Sequence, residues 1–134
     1  MERLFGDDKA SMVFTDPPYN VPIQGHVSGL GVAQHEEFAM ASGEMTDHEF
    51  RDFLEDACLS MAKYSDEGSL HFVCMDWRHV QLLLEVGEAV YGALINLCIW
   101  AKTNGGMGSL YRSQHEMIPV FKKGKTPHLN NVSL

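Results

Sequence analysis

The chain has 134 residues, 45% of them hydrophobic and 21% charged, with a net charge of −8. That is about one domain with enough apolar surface for a single core, which excludes a disordered chain. The acidic balance also excludes a uniformly basic nucleic-acid binder. The charge is uneven, however. Lys102 to Lys125 holds five basic residues and one acid, a local +4 against −12 elsewhere, which together make the −8 of the whole chain. One basic edge on an acidic body suits contact with an anion, although a solvated strand end gives the same pattern.

Met1 to Asp8 has no apolar core segment, so no signal peptide is expected. The short apolar, β-prone run Ser11 to Thr15 predicts a strand that stops at Asp16-Pro17-Pro18, because two prolines cannot continue a ladder. Val21 to Gly43 has no periodicity and reads as a long loop, with Gly25, Gly29 and Gly31 as a candidate mobile cover over a site. Thr46-Asp47-His48-Glu49 is a capping-box pattern. The helix after it carries Phe50, Phe53, Leu54, Ala57, Met61 and Tyr64 on one face. Ser65-Asp66-Glu67-Gly68 is expected to end that helix, and Ser69 to Met75 to form a buried strand. Asp76 is expected to cap a second helix, with Val80, Leu83, Leu84 and Val90 inward.

Leu94 to Ala101 predicts a third strand, Asn104 to Ser109 a turn-rich connection, and Met117 to Phe121 a fourth strand. Pro119 inside it points to a sheet edge. The long apolar stretch from Val80 to Ala101 is broken by Glu85, Glu88 and Asn96, so no membrane span is expected and the protein reads as soluble and cytoplasmic. The element order is that of an α/β fold with a mostly parallel sheet. In such sheets ligands bind beyond the carboxyl ends of the strands, where Asp16 and Asp76 fall. The strands ending at these two residues are expected to be parallel neighbours.

Cys58, Cys74 and Cys98 are too widely spaced for a metal pair and read as buried reduced thiols. His35-Glu36 and His115-Glu116 begin like a zinc-protease motif, but Ala39 and Pro119 stand where a second histidine is needed, so no metal is expected.

Asp16-Pro17-Pro18-Tyr19-Asn20 is the sharpest feature. A given tetrapeptide arises by chance in a chain this long about once in a thousand sequences, and this one follows a strand directly. Its bland alternative is a Pro-Pro turn with a capping aspartate and a packed tyrosine. The residues suit methylation of an exocyclic amino group, whose lone pair is delocalised into a ring. The Asp16 carboxylate and the Pro17 carbonyl, stiffened by Pro18, can accept the two amino hydrogens and stabilise the charge that develops on nitrogen. Neither proline has an N–H to compete. Tyr19 offers a face on which an extruded base can stack, so Tyr19→Phe is expected to be mild.

The DPPYN segment resembles the catalytic motif of the DNA adenine-N6 and cytosine-N4 methyltransferases. Trp100-Ala101-Lys102, Asn104 to Ser109, Tyr111-Arg112-Ser113, His115-Glu116 and the strand into Phe121-Lys122 resemble a later motif of that family. The resemblance implies an α/β fold, part of a class I (Rossmann-like) S-adenosylmethionine-dependent methyltransferase sheet, mostly parallel with a terminal antiparallel strand. It implies transfer of a methyl group from S-adenosylmethionine to adenine N6 or cytosine N4 of a flipped-out base in double-stranded DNA. Asp16, Pro17, Pro18 and Tyr19 are then catalytic, and Asp16, Pro17 and Asp76 contact the cofactor. Asn20, Lys102, Tyr111, Arg112 and His115 contact substrate DNA. His115 and Glu116, at a strand start, suit either a part of the base pocket or a surface pair.

In the β class of these enzymes DPPY precedes a glycine-rich FxGxG motif, which is absent from these 134 residues; the alternative within the family is the C-terminal half of an α-class enzyme, where FxGxG precedes DPPY. Residues 1–134 are therefore expected to be one partial catalytic domain, whose uncovered sheet edge favours a homodimer. A restriction-modification role follows from the same resemblance. The alternatives are a non-catalytic DNA-binding or structural remnant, and an RNA or protein amino-methyltransferase.

Overall fold

A computed structural model describes residues 2–22, 39–105 and 110–130. Its elements are α1 (Glu2–Phe5), β1 (Ala10–Thr15), α2 (Asp47–Lys63), β2 (Ser65–Val73), α3 (Val80–Tyr91), β3 (Leu94–Ala101) and β4 (His115–Lys122). They form a mixed α/β unit around one open four-stranded sheet of order β1-β2-β4-β3.

β1 and β2 are parallel neighbours, as the short helical crossover between them requires. β4 pairs antiparallel with both β2 and β3, so β1, β2 and β3 run one way and β4 alone runs back. The reversed strand is last in the chain but internal in the sheet. Pro119 therefore does not mark an edge. The β2–β4 ladder covers Phe72↔Val120 and then resumes only at the bridge Met75↔Met117. Pro119, which has no N–H to give, sits in that gap and is fully buried.

The capping box forms as expected: the Thr46 hydroxyl accepts from Glu49 N, and the Glu49 side chain accepts from Thr46 N at 2.8 Å. Phe50, Leu54 and Cys58 of α2 are buried, with Phe53 and Met61 packed beside them. Tyr64 leaves this face and stacks on Phe5, ring centres 5.7 Å apart. In α3, Leu83, Val86, Gly87 and Tyr91 are buried, and Val80, Leu84 and Val90 pack around them. A Cβ on Gly87 would collide with the Phe121 ring, so glycine is what lets this helix approach the sheet.

Three boundaries differ from expectation. β2 begins at Ser65, because the polar run Ser65 to Gly68 is tied into the sheet instead of ending the helix freely. Ser65 Oγ donates to Met61 O at 2.7 Å, and the Lys123 ammonium reaches Ser65 O at 2.7 Å. The register against β1 shifts over this stretch, where Gly68 takes φ +85°. β4 extends to His115 because Ala101 pairs with it. Asp76 caps the turn before α3, whose N-cap is His79 without a side-chain capping bond.

Both long helices cover the face that carries His71, Val73 and Phe121; Tyr91 packs on the rings of His71 and Phe121 at 4.5 and 5.4 Å. On the opposite face Phe14 stacks on Phe72 at 6.1 Å, and Met12 and Phe14 stay more than half exposed. Cys58 and Cys74 are buried free thiols, but Cys98 is exposed, because β3 is an edge strand whose residues are mostly uncovered. No helix among the described residues is long and apolar enough to cross a membrane. The expected loop cover around Gly25 to Gly31 lies outside the described residues.

Candidate active site

The parallel pairing of β1 and β2 runs up to the DPPY segment, where Cys74 N donates to Thr15 O at 2.9 Å. Asp16 follows at once and is exposed, while Pro17, Pro18 and Tyr19 are half-buried. The Tyr19 hydroxyl donates to Asp16 Oδ1. Its ring packs against the core formed by α2, α3 and the sheet. Burial first, then the bond to Asp16, raises the Tyr19 pKa far above its ordinary value, so the hydroxyl stays a protonated donor. This assigns the hydroxyl a task that the sequence reading left out: it fixes the Asp16 carboxylate.

Asn20 is buried and takes φ +54°, a left-handed conformation that asparagine tolerates better than most residues. Its Oδ1 accepts from Gly43 N at 3.1 Å and Met45 N at 3.2 Å, and its Nδ2 donates to Met45 O at 2.8 Å. The side chain is thus used to lock the Gly43–Met45 backbone onto the DPPY turn.

Asp76, beyond the end of β2, is also buried. Its Oδ1 accepts from Arg78 N at 3.0 Å and His79 N at 3.3 Å, and its Oδ2 from Arg78 Nη1 at 2.6 Å. The Arg78 guanidinium in turn lies 4.8 Å from the centre of the exposed Trp77 ring. Asp76 is therefore committed to its own turn. A hollow of about 290 Å³ lined by Asp47, Arg78, His79, Gln81, Leu82 and Glu85 opens beside that turn, and none of Asp16 to Tyr19 lines it.

Because β4 runs backwards, its start lies with the carboxyl ends of β1 and β2. Glu116 is paired in register with Trp100, and its Oε1 binds the Lys102 ammonium. Lys102 N also donates to Gln114 O at 2.8 Å, closing the β3–β4 connection. His115 is half-buried beside Ala101. Burial, then the charges of Asp16 and Glu116, pushes the Cys74 thiol up to about 11. Both carboxylates also act on Tyr19, which ties the end of β1 to the start of β4 as one electrostatic unit.

The structure thus gathers Asp16 to Asn20, Asp76, Lys102 and His115 along one sheet end. Tyr111 and Arg112 stand exposed on the connection into β4. No hydrogen bond or ion pair links them to the DPPY segment among the described residues. Cys74 is the addition, and a buried cysteine in an apolar strand gives no sequence signal for it; Glu116 is a pocket candidate with His115 from the sequence alone.

A family model described as DNA methylase, of the N6/N4 type, matches residues 10–133. The chain belongs to the DNA methylase family. The match covers both the DPPY segment and the His115 to Lys122 strand, the two regions that meet at this end of the sheet. No curated protein matches the chain in sequence.

Proposed function

We propose that the chain is part of an S-adenosylmethionine-dependent DNA methyltransferase domain that methylates the exocyclic amino group of a flipped-out base, adenine at N6 or cytosine at N4. One observation carries this reading. In a member of the DNA methylase family, the Tyr19 hydroxyl orients the Asp16 carboxylate just beyond the carboxyl end of β1.

That bond occupies Oδ1 of Asp16, and Oδ2 is not used by it. Asp16 and the Pro17 carbonyl then accept amino hydrogens, which draws the nitrogen out of conjugation and spreads the positive charge it acquires. Pro17 and Pro18 keep competing donors out. The Tyr19 ring supplies the stacking face for the base.

The donor set fits a cation, since the Asp16 carboxylate stands exposed at the end of β1 while Glu116 is already balanced by Lys102. S-adenosylmethionine would supply a methyl group on a sulfonium centre, and Asp16 and Pro17 are the contacts proposed for it. Asp76 contributes by fixing the Trp77-Arg78 turn. A Rossmann-like sheet agrees with three co-directional strands whose ligand-bearing turns share one end.

Double-stranded DNA is the proposed partner. Tyr111 and Arg112 are exposed for stacking and phosphate contact, and His115 stands half-buried at the start of β4. Lys102 shares its charge with Glu116, so its pull on DNA is weakened, and Asn20 acts through the backbone it holds. A restriction-modification role, a cytoplasmic setting and homodimerisation through the exposed sheet edges belong to the same reading.

Asp16→Ala tests it. In protein expressed from the complete reading frame, turnover should fall by about a hundredfold or more while cofactor binding persists. Near-normal turnover would contradict the assigned role.

A further inference from the structure

Trp77 stands just beyond the carboxyl end of β2. Tryptophan is highly buried on average, yet this one is 52% exposed. Among the described residues, the Arg78 guanidinium is the group that lies over its ring, 4.8 Å from the centre.

Asp76 does more here than a turn requires. Its Oδ1 already caps the turn, accepting from Arg78 N at 3.0 Å and His79 N at 3.3 Å. Its Oδ2 adds the bond to Arg78 Nη1 at 2.6 Å, which fixes the guanidinium where it meets the indole. A charge-assisted bond of this kind holds a long side chain in one place, and a cation over an indole is attracted to its face. The outcome is an aromatic ring held from one side and open to solvent elsewhere. Its position is also set. Cys74 N donates to Thr15 O, so the DPPY turn and the Asp76–Arg78 turn leave neighbouring parallel strands, about 5 Å apart, at the same level.

We propose that Trp77, held by Arg78, is a stacking platform for a nucleobase of the DNA beside the target base. Extruding a base breaks its stacking with its neighbours, and an aromatic face next to the site replaces part of what is lost. Asp76 already neutralises Arg78, so the contact is made by the ring and not by charge. The inference rests on the reading that DNA is the substrate, and it is independent of the roles given to Asp16 and Tyr19.

Tryptophan fluorescence tests it. The chain has two tryptophans, so Trp100→Phe leaves Trp77 as the single emitter. A short oligothymidylate, at low salt, should quench that emission. An oligomer of the same length made of abasic sugars should not. With Trp100 in place, Trp77→Ala should weaken the binding of dye-labelled oligothymidylate about tenfold or more, measured by anisotropy, and Trp77→Phe should recover most of the loss. The slope of log affinity against log salt should stay unchanged in both, since no phosphate contact is removed. The melting temperature should stay as well, whereas a merely structural turn would lose stability and affinity together. Equal quenching by the abasic oligomer, or unchanged affinity in Trp77→Ala, overturns the inference. Quenching by S-adenosylmethionine without quenching by oligothymidylate also overturns it, and so does a chain that binds no oligothymidylate. The methylation reading is judged separately by its DNA product, so either can fail while the other stands.

Discussion

Removing one oxygen atom, by Tyr19→Phe, separates what the Tyr19 ring does from what its hydroxyl does. The hydroxyl donates to Asp16 Oδ1 and stays protonated, because burial and Asp16 raise its pKa far out of the working range. A hydrogen bond to a charged group is worth about 1.5–3 kcal/mol. Asp16 is exposed, so the lower end applies, and about 1.5 kcal/mol corresponds to roughly a tenfold effect. Tyr19→Phe should therefore lower kcat/KM for DNA about tenfold without lowering the melting temperature appreciably. Tyr19→Ala also loses the stacking face, about 1–3 kcal/mol more, and should be worse by a further factor of about ten to a hundred. Labelled methyl incorporation into unmethylated phage DNA, by protein from the complete reading frame, measures both. Wild-type activity in Tyr19→Phe would mean that orienting Asp16 is irrelevant to turnover. Equal damage from the two substitutions would mean that the ring contributes nothing.

Asn20→Ala removes three hydrogen bonds to the Gly43–Met45 backbone and should cost about 1–3 kcal/mol in a denaturant melt, whereas Asn20→Asp keeps both acceptor bonds and should cost less. His71 is fully buried, and burial first, then Lys123, lowers its pKa from 6.5 to about 4. The unfolded chain then binds the proton more readily, so stability is highest above about pH 6.5 and falls toward pH 4. The slope is at most about 1.4 kcal/mol per pH unit, and His71→Phe should flatten it in melts across that range. The 134-residue chain should bind S-adenosylmethionine more weakly than about 100 µM by calorimetry, since Asp16 to Tyr19 and the end of β2 form one wall and few polar groups converge there. Micromolar one-to-one binding would show the pocket to be complete without an FxGxG motif.

The elements were legible where local chemistry decides them. The capping box at Thr46, the periodic apolar face from Phe50 to Met61 and the β-prone run Leu94 to Ala101 each fix their element within a few residues. The parallel pairing of β1 with β2 followed from the crossover. Position within the sheet was not legible. Pro119 looked like an edge residue because sequence records its missing N–H but not the ladder gap that absorbs it. Ser65 to Gly68 looked like a helix terminator because its partners, Ala10 and Lys123, are distant in the chain. In the site, the motif announced Asp16 to Tyr19, but not that the Tyr19 hydroxyl holds Asp16. It also did not reveal that Asn20 and Asp76 are bound to nearby backbone, or that Lys102 pairs with Glu116.

The identity of the methylated nucleoside tests the central claim most directly. The complete reading frame would be expressed in a host without DNA methylation, and the host DNA digested and read by mass spectrometry. The wild-type protein should give N6-methyladenine or N4-methylcytosine, and Asp16→Ala neither. C5-methylcytosine, no methylated base from the wild type, or equal product from Asp16→Ala would contradict it.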